Sequence, residues 1–298
     1  MTPANSDSPG RSVVLGVDAH DTGRMTAAWA ADEADRRGVP LRLVHAVPPL
    51  YREFRHFDGD RYHKALLARA ERALDRAGSV AWQRHPGLAL TTDVPEDLPA
   101  PALCRESRHA ALVVLGSRRL GRAEEALSAY SVAVPVSAQA HCPVVVVRDP
   151  EHTTQEPPYV VLGVDGSPSS EPAVDFAFDL AAERRAALRV LWVWQRPPFG
   201  ELDDAATEEV LRRLLFESTA GRHDRAPDVT VTHELAHGHP VEELAKASEH
   251  ALAVVVGRRG SGGFTGMRLG SVPHGLLHRA HCPVITVPAS PNWDRPAR

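Results

Sequence analysis

Ala251-Leu-Ala-Val-Val-Val256 runs directly into Gly257-Arg-Arg-Gly260-Ser-Gly-Gly-Phe-Thr-Gly-Met-Arg-Leu-Gly270-Ser271-Val272. The apolar run is too short for a helix and rich in β-branched valine, which predicts a parallel strand buried on both faces. Beyond the glycines, Val272-Pro-His-Gly-Leu-Leu-His-Arg-Ala280 predicts a helix, with Ser271 as its N-cap and Pro273 in its first turn. The glycines therefore join a strand end to a helix start. Open α/β sheets bind nucleotides at such junctions, because glycine lets the backbone approach phosphate and the helix N-terminus offers N–H groups without intrahelical partners. An exposed anion gains only about 0.3–1 kcal/mol from the helix dipole, so several backbone donors must act together. Glycine content alone is equally compatible with a surface loop. The stretch is not a P-loop, since no Lys follows its last glycine, and Thr265 stands where the dinucleotide fingerprint needs its third glycine.

The strand that precedes this loop is one of several that recur. Ser12-Val-Val-Leu-Gly-Val-Asp18 returns as Tyr159-Val-Val-Leu-Gly-Val-Asp165, a shift of 165 − 18 = 147, and His141-Cys-Pro-Val returns as His281-Cys-Pro-Val, a shift of 281 − 141 = 140. A period that long exceeds any solenoid unit, so the chain reads as two copies of one domain. In the second copy, strands are expected near 159–165, 188–194, 229–235, 251–256 and 283–288, alternating with helices near 169–185, 201–219, 241–249 and 272–280. The first copy follows with strands near 12–18, 41–47, 88–94, 111–115 and 143–148. Alternation of this kind implies βαβ units and a doubly wound parallel sheet of five strands in each copy. The copies are expected at 1–150 and 157–290, joined by the polar, proline-bearing segment 148–158. The apolar stripes of 58–79, and Val210, Leu211, Leu214 and Leu215 in its counterpart, have helical spacing and read as packing surface.

Composition narrows the function classes. The chain has 298 residues, enough for two domains with their own cores, and is 43% hydrophobic and 24% charged. A net charge of −4 supplies no electrostatic footprint for nucleic acid or an anionic membrane. Of the 34 basic residues only Lys64 and Lys246 are lysines, so arginines carry little information individually. Cys104, Cys142 and Cys282 lack metal or redox spacing and are expected as reduced thiols. Residues 1–10 contain no apolar signal region, and no apolar run approaches the ~20 residues of a membrane helix, so the expected location is the cytoplasm.

The loop spacing is Gly257, two residues, Gly260, nine residues, Gly270, then Ser271. This resembles the ATP-binding signature of the universal stress protein family, and the chain as a whole resembles a tandem member of it. The resemblance implies two Rossmann-like domains akin to the adenine nucleotide alpha hydrolases, with ATP, with or without Mg2+, as ligand. It also implies that Gly257, Gly260, Gly270, Ser271 and Val272 wrap ribose and triphosphate, with Arg258, Gly262 and Gly263 in the same loop. Asp165, after Gly163 on the first strand, is carried over to the nucleotide pocket, and Asp18 with less support. The backbone of Val193, counterpart of Ala46, is carried over to the adenine edge, where side-chain identity matters little. By itself Asp165 also reads as a turn or helix cap. In the family the last strand pairs across a two-fold axis. The apolar run Pro143-Val-Val-Val-Val147 is therefore expected to meet Pro283-Val-Ile-Thr-Val287 in an intramolecular pseudo-dimer, with a further homodimer left open.

The first copy departs from the signature. From Gly116 to Ser131 is 131 − 116 = 15 positions, against 271 − 257 = 14 in the second copy; Arg119 replaces Gly260 and Tyr130 replaces Gly270. Glu124 and Glu125 add negative charge where a polyphosphate would lie, so this loop reads as degenerate. His237 and His239 invite a metal reading, but no third ligand has suitable spacing, and no metal site is expected. Two function classes follow: an ATP-binding sensor or regulator of the stress response, or an enzyme of the same superfamily that hydrolyses or transfers from ATP. The first is favoured, since no nucleophile-base pair or acidic Mg2+ cluster accompanies Asp165, and no catalytic residue is assigned.

Overall fold

The computed structural model describes residues 11–19, 24–49, 59–117, 132–148, 154–195, 204–260 and 268–289. It divides into two compact units, residues 1–116 and 117–298.

The first unit comprises β1 (Ser12–Gly16), α1 (Arg24–Arg37), β2 (Leu41–Val44), α2 (Gly59–Arg84), β3 (Leu90–Asp93), α3 (Pro99–Glu106) and β4 (Ala110–Gly116). Its strands lie in the order β3-β2-β1-β4 and all pair in parallel. Val13, Leu41, Leu43, Leu112, Val113 and Val114 are fully buried; β4 is a continuous apolar run of the kind covered on both faces, while β2 is interrupted by the ion-paired Arg42. α2 runs past the expected stop at Ser79 to Arg84. Gly78 lies inside the helix with its Cβ direction in ordinary contact, 3.5 Å from Leu43 Cδ1.

The second unit contains α4 (Ala133–Gln139), β5 (Val144–Val147), β6 (Tyr159–Val164), a 3-10 turn (Pro168–Ser170), α5 (Glu171–Arg184), β7 (Ala187–Trp194), α6 (Asp204–Ser218), β8 (Val231–His237), α7 (Pro240–Ala247), β9 (Ala253–Gly257), α8 (Ser271–Arg279) and β10 (Val284–Val287). Its strand order is β5-β10-β9-β6-β7-β8, parallel throughout except at β5. β5 runs antiparallel to β10, with Val146 opposite Val284 and Val144 opposite Thr286. These are the two last strands that the repeat brings together. Consequently α4 and β5, first-copy elements by sequence, belong to the second compact unit.

The chain leaves β6 for β7 and β8 on one side, then returns to β9 and β10 on the other. The direction of winding therefore reverses between β6 and β9. In open α/β sheets a crevice opens outside the carboxyl ends of the strands at that point. α5 packs on β6, β7, β9 and β10, while α7 packs on β6, β7 and α8. Phe176 and Leu180 of α5 are buried with Val160, Leu162, Val254 and Val255 of the strands beneath. The core of this unit thus lies directly under the crevice.

Candidate functional site

Asp165 follows β6 immediately, at the carboxyl edge of the sheet. Its Oδ1 accepts hydrogen bonds from the Ser167 backbone N–H at 3.1 Å and from Ser167 Oγ at 2.7 Å. This is an Asx-type turn, so the turn-capping reading of Asp165 and the pocket reading hold together. Gly166, at φ +70°, makes the turn possible; there a Cβ would stand 2.5 Å from Trp192 Cη2. The other oxygen, Oδ2, faces Gly260, where an added Cβ would collide with it.

A ladder of serines joins this turn to the glycine loop. Ser167 Oγ and Ser169 Oγ are 3.0 Å apart, Ser169 Oγ donates to the Arg259 carbonyl at 3.2 Å, and Ser170 Oγ donates to the Ser167 carbonyl at 2.7 Å. Gly257 lies over the same turn, with its Cβ position 3.4 Å from Ser170 Cα. The sequence reading missed Gly166, Ser167 and Ser169, although Gly166-Ser-Pro-Ser has turn composition.

The far end of the loop returns to its start. The Gly270 N–H donates to the Arg258 carbonyl at 2.9 Å, and the Arg258 N–H donates to the Val287 carbonyl at 2.8 Å. Gly270 is itself the N-cap of α8, at φ −66° and ψ 160°, so Ser271 is the first helical residue rather than the cap. That backbone is open to any residue, and a Cβ would meet only Pro273 and the Arg258 carbonyl at ordinary distances of 3.4–3.5 Å. Positive φ is therefore not what calls for glycine at 257, 260 or 270; space is at 260 and, less acutely, at 257, where a Cβ would stand 3.2 Å from the Arg259 carbonyl, while at 270 the loop's own packing leaves room for a side chain. The first intrahelical bond runs from His274 N–H to the Gly270 carbonyl, which leaves the Ser271 and Val272 amides ahead of the ladder at the positive end of α8. Pro273 contributes no amide there.

The remaining candidates are distributed as follows. Val193 lies at the carboxyl end of β7, opposite Ala236 of β8. Ala187 N–H donates toward β6 and Leu188 N–H toward β8, and this alternation turns the backbone groups of Val193 toward β6, which ends at Val164. Gly163 belongs to packing: a Cβ would meet Leu244 Cδ1 of α7 and Val256 Cγ1, each at 3.0 Å. Its counterpart Gly16 is equally crowded by Leu115 and Leu103. The shared glycine of the repeated Val-Leu-Gly-Val-Asp is thus explained by close helix-on-sheet contact. Arg258 lends its backbone to the loop, while its guanidinium donates to the Ala140 carbonyl at 2.8 Å. Gly262 and Gly263 lie outside the described residues, as do Arg119, Glu124, Glu125 and Tyr130. His237 packs edge-on against Trp194, ring centroids 5.1 Å apart, and His239 is the N-cap of α7. Among the described residues no group of three His, Cys, Asp or Glu side chains is gathered to hold a metal ion.

The sequence profile of the universal stress protein family matches residues 10–148 and 159–288. The chain belongs to the universal stress protein family. A universal stress protein of Mycobacterium tuberculosis (strain H37Rv) is 33% identical over 300 residues, covering 94% of this chain and 97% of the relative. One from Mycobacterium bovis is 34% identical over 286 residues, covering 92% and 95%. The crystal structure of a universal stress protein from Archaeoglobus fulgidus superposes with a TM-score of 0.70 at 18% identity, covering 94% of this chain and 96% of that one, and so shares the fold. The tandem architecture is therefore that of whole relatives. As a universal stress protein, the chain has no helix among its described residues long and apolar enough to cross a membrane.

Proposed function

We propose that this universal stress protein binds ATP at the second copy, and that occupancy of the site regulates its part in a cytoplasmic stress response. The observation that carries the reading is the convergence of three elements where the sheet's winding reverses: Asp165 after β6, the Gly257–Gly260 turn after β9, and the leading amides of α8. Each suits a different part of a nucleotide. The Ser271 and Val272 amides are donors at a positive helix end and suit phosphate oxygens. The Asp165 carboxylate accepts hydrogen bonds and would repel phosphate, so it suits sugar hydroxyls. The backbone of Val193 supplies an N–H and a C=O, the pair that an adenine edge needs.

In the first copy, Arg119 and Tyr130 replace two of the loop glycines, so one nucleotide per chain is expected. Titration calorimetry with ATP, with and without Mg2+, tests this. A stoichiometry near one supports the reading, two equivalent sites would remove the asymmetry, and no heat at any concentration would remove the site.

A further inference from the structure

Both described ends of the glycine loop are fastened to one helix of the other copy. At the first end, Arg258 joins three partners: Val287 and Gly270 through its backbone, and the Ala140 carbonyl through Nη1 at 2.8 Å. Ala140 is the C-cap of α4. At the second end, Arg268 Nη1 donates to Gln139 Oε1 at 2.9 Å. Gln139 is oriented for this, because its Nε2 donates to the Pro135 carbonyl at 3.3 Å, and an amide that points its nitrogen back along the helix points its oxygen away. Two adjacent residues at the negative end of α4 thus accept charge-assisted hydrogen bonds from two guanidinium groups that flank the loop.

We propose that Gln139 and Ala140 are positioning residues for nucleotide binding by the second copy. Acting through Arg268 and Arg258, they hold the Gly257–Gly260 turn and the Gly270–Ser271 start of α8 at a fixed separation. The inference rests on the reading of that site as nucleotide-binding. Its physical basis is preorganisation: a loop already held in its binding geometry loses less conformational entropy when ligand arrives. It also gives the degenerate copy a purpose. Residues 118–131 lack the glycine pattern, yet α4, which follows them, supplies both contacts that brace the intact loop.

Gln139 is exposed, so truncating it leaves the core untouched. The test measures ATP affinity and ligand-free melting temperature for the full-length protein and for Gln139→Ala and Gln139→Glu. Gln139→Ala should weaken ATP binding on the order of tenfold, with an unchanged ligand-free melting temperature. Gln139→Glu should restore the affinity, because a carboxylate still accepts from Arg268, a rescue that a purely structural role for the side chain would not give. Wild-type binding with no loss in Gln139→Ala, or loss without rescue in Gln139→Glu, overturns the positioning role alone. A wild-type protein that binds no ATP overturns the site itself, and this inference with it.

Discussion

Gly260 stands against the carboxylate of Asp165 so closely that a single methyl group at 260 would overlap Oδ2. The glycine after β9 and the aspartate after β6 are thus one unit, though 260 − 165 = 95 residues separate them. Gly260→Ala should destabilise the protein by roughly 1–3 kcal/mol and displace Asp165 from the Ser167 turn. In an Asp165→Ala background the same substitution should cost much less. Chemical denaturation of the two single variants and the double variant measures the coupling, and additive losses would show that the two residues do not press on each other.

Gly270 offers the opposite case. Its backbone is extended and its Cβ direction meets ordinary contacts. Gly270→Tyr, which places the first copy's residue in the second, should therefore fold with a melting temperature near wild type and lose ATP binding. Retained affinity in a folded Gly270→Tyr protein would show that this position does not face phosphate.

Saturating ATP should stabilise the native state by about 2.7 kcal/mol at a hundredfold excess over Kd. For a domain of this size that corresponds to a melting shift of roughly 5–10 °C. GTP should shift it much less, because its O6 and N1–H reverse the donor and acceptor order that the Val193 backbone presents to adenine. Equal shifts with both nucleotides would mean recognition of phosphate and sugar alone.

His233 lies half-buried under the Phe216 ring, 4.3 Å between centroids, with Nε2 at 2.7 Å from Thr219 Oγ1. Burial holds its pKa below the ordinary histidine value. The folded state thus prefers the neutral ring, and the contribution of His233 to stability is complete above the unfolded pKa of about 6.5. It is lost as pH falls from there through the lower folded value. His233→Gln should flatten the decline in stability between about pH 6.5 and 5; an unchanged slope would assign the decline elsewhere.

Cys282 is fully buried just ahead of β10, and burial pushes its thiol up to about 12. Buried and held as the neutral thiol, Cys282 should escape iodoacetamide at about pH 8 in the native protein and be labelled after denaturation. Labelling at the native-state rate of a free thiol, read by peptide mass, would contradict the buried position.

The strands are legible in the sequence because buried parallel strands leave unbroken valine and leucine runs such as Val160 to Leu162 and Val254 to Val256, and the repeat marks them twice. The junction of β9, loop and α8 is legible from glycine spacing. The start of α8 is displaced by one residue from its expected place because Ser271 has the better capping side chain, yet the Gly270 backbone occupies the cap. Gly163 resembles a ligand contact because it precedes Asp165, whereas its crowding by Leu244 exists only once α7 has folded over β6. The Arg258 bond to Ala140 spans 258 − 140 = 118 residues and leaves no local trace in the sequence. Contacts set by tertiary packing, unlike periodicity and turn composition, have no short-range signature.

The antiparallel seam between β5 and β10 also sets a timetable for synthesis. Val146 finds its partner Val284 only after another 284 − 146 = 138 residues have been translated. At ordinary elongation rates of about 5–20 residues per second, the valine strand Val144–Val147 waits roughly 7–28 s on the ribosome before β10 can cover it. An apolar edge exposed for that long invites pairing with neighbouring nascent chains. The newborn chain is therefore at its most vulnerable to edge-to-edge association in the interval between synthesis of β5 and emergence of its last strand.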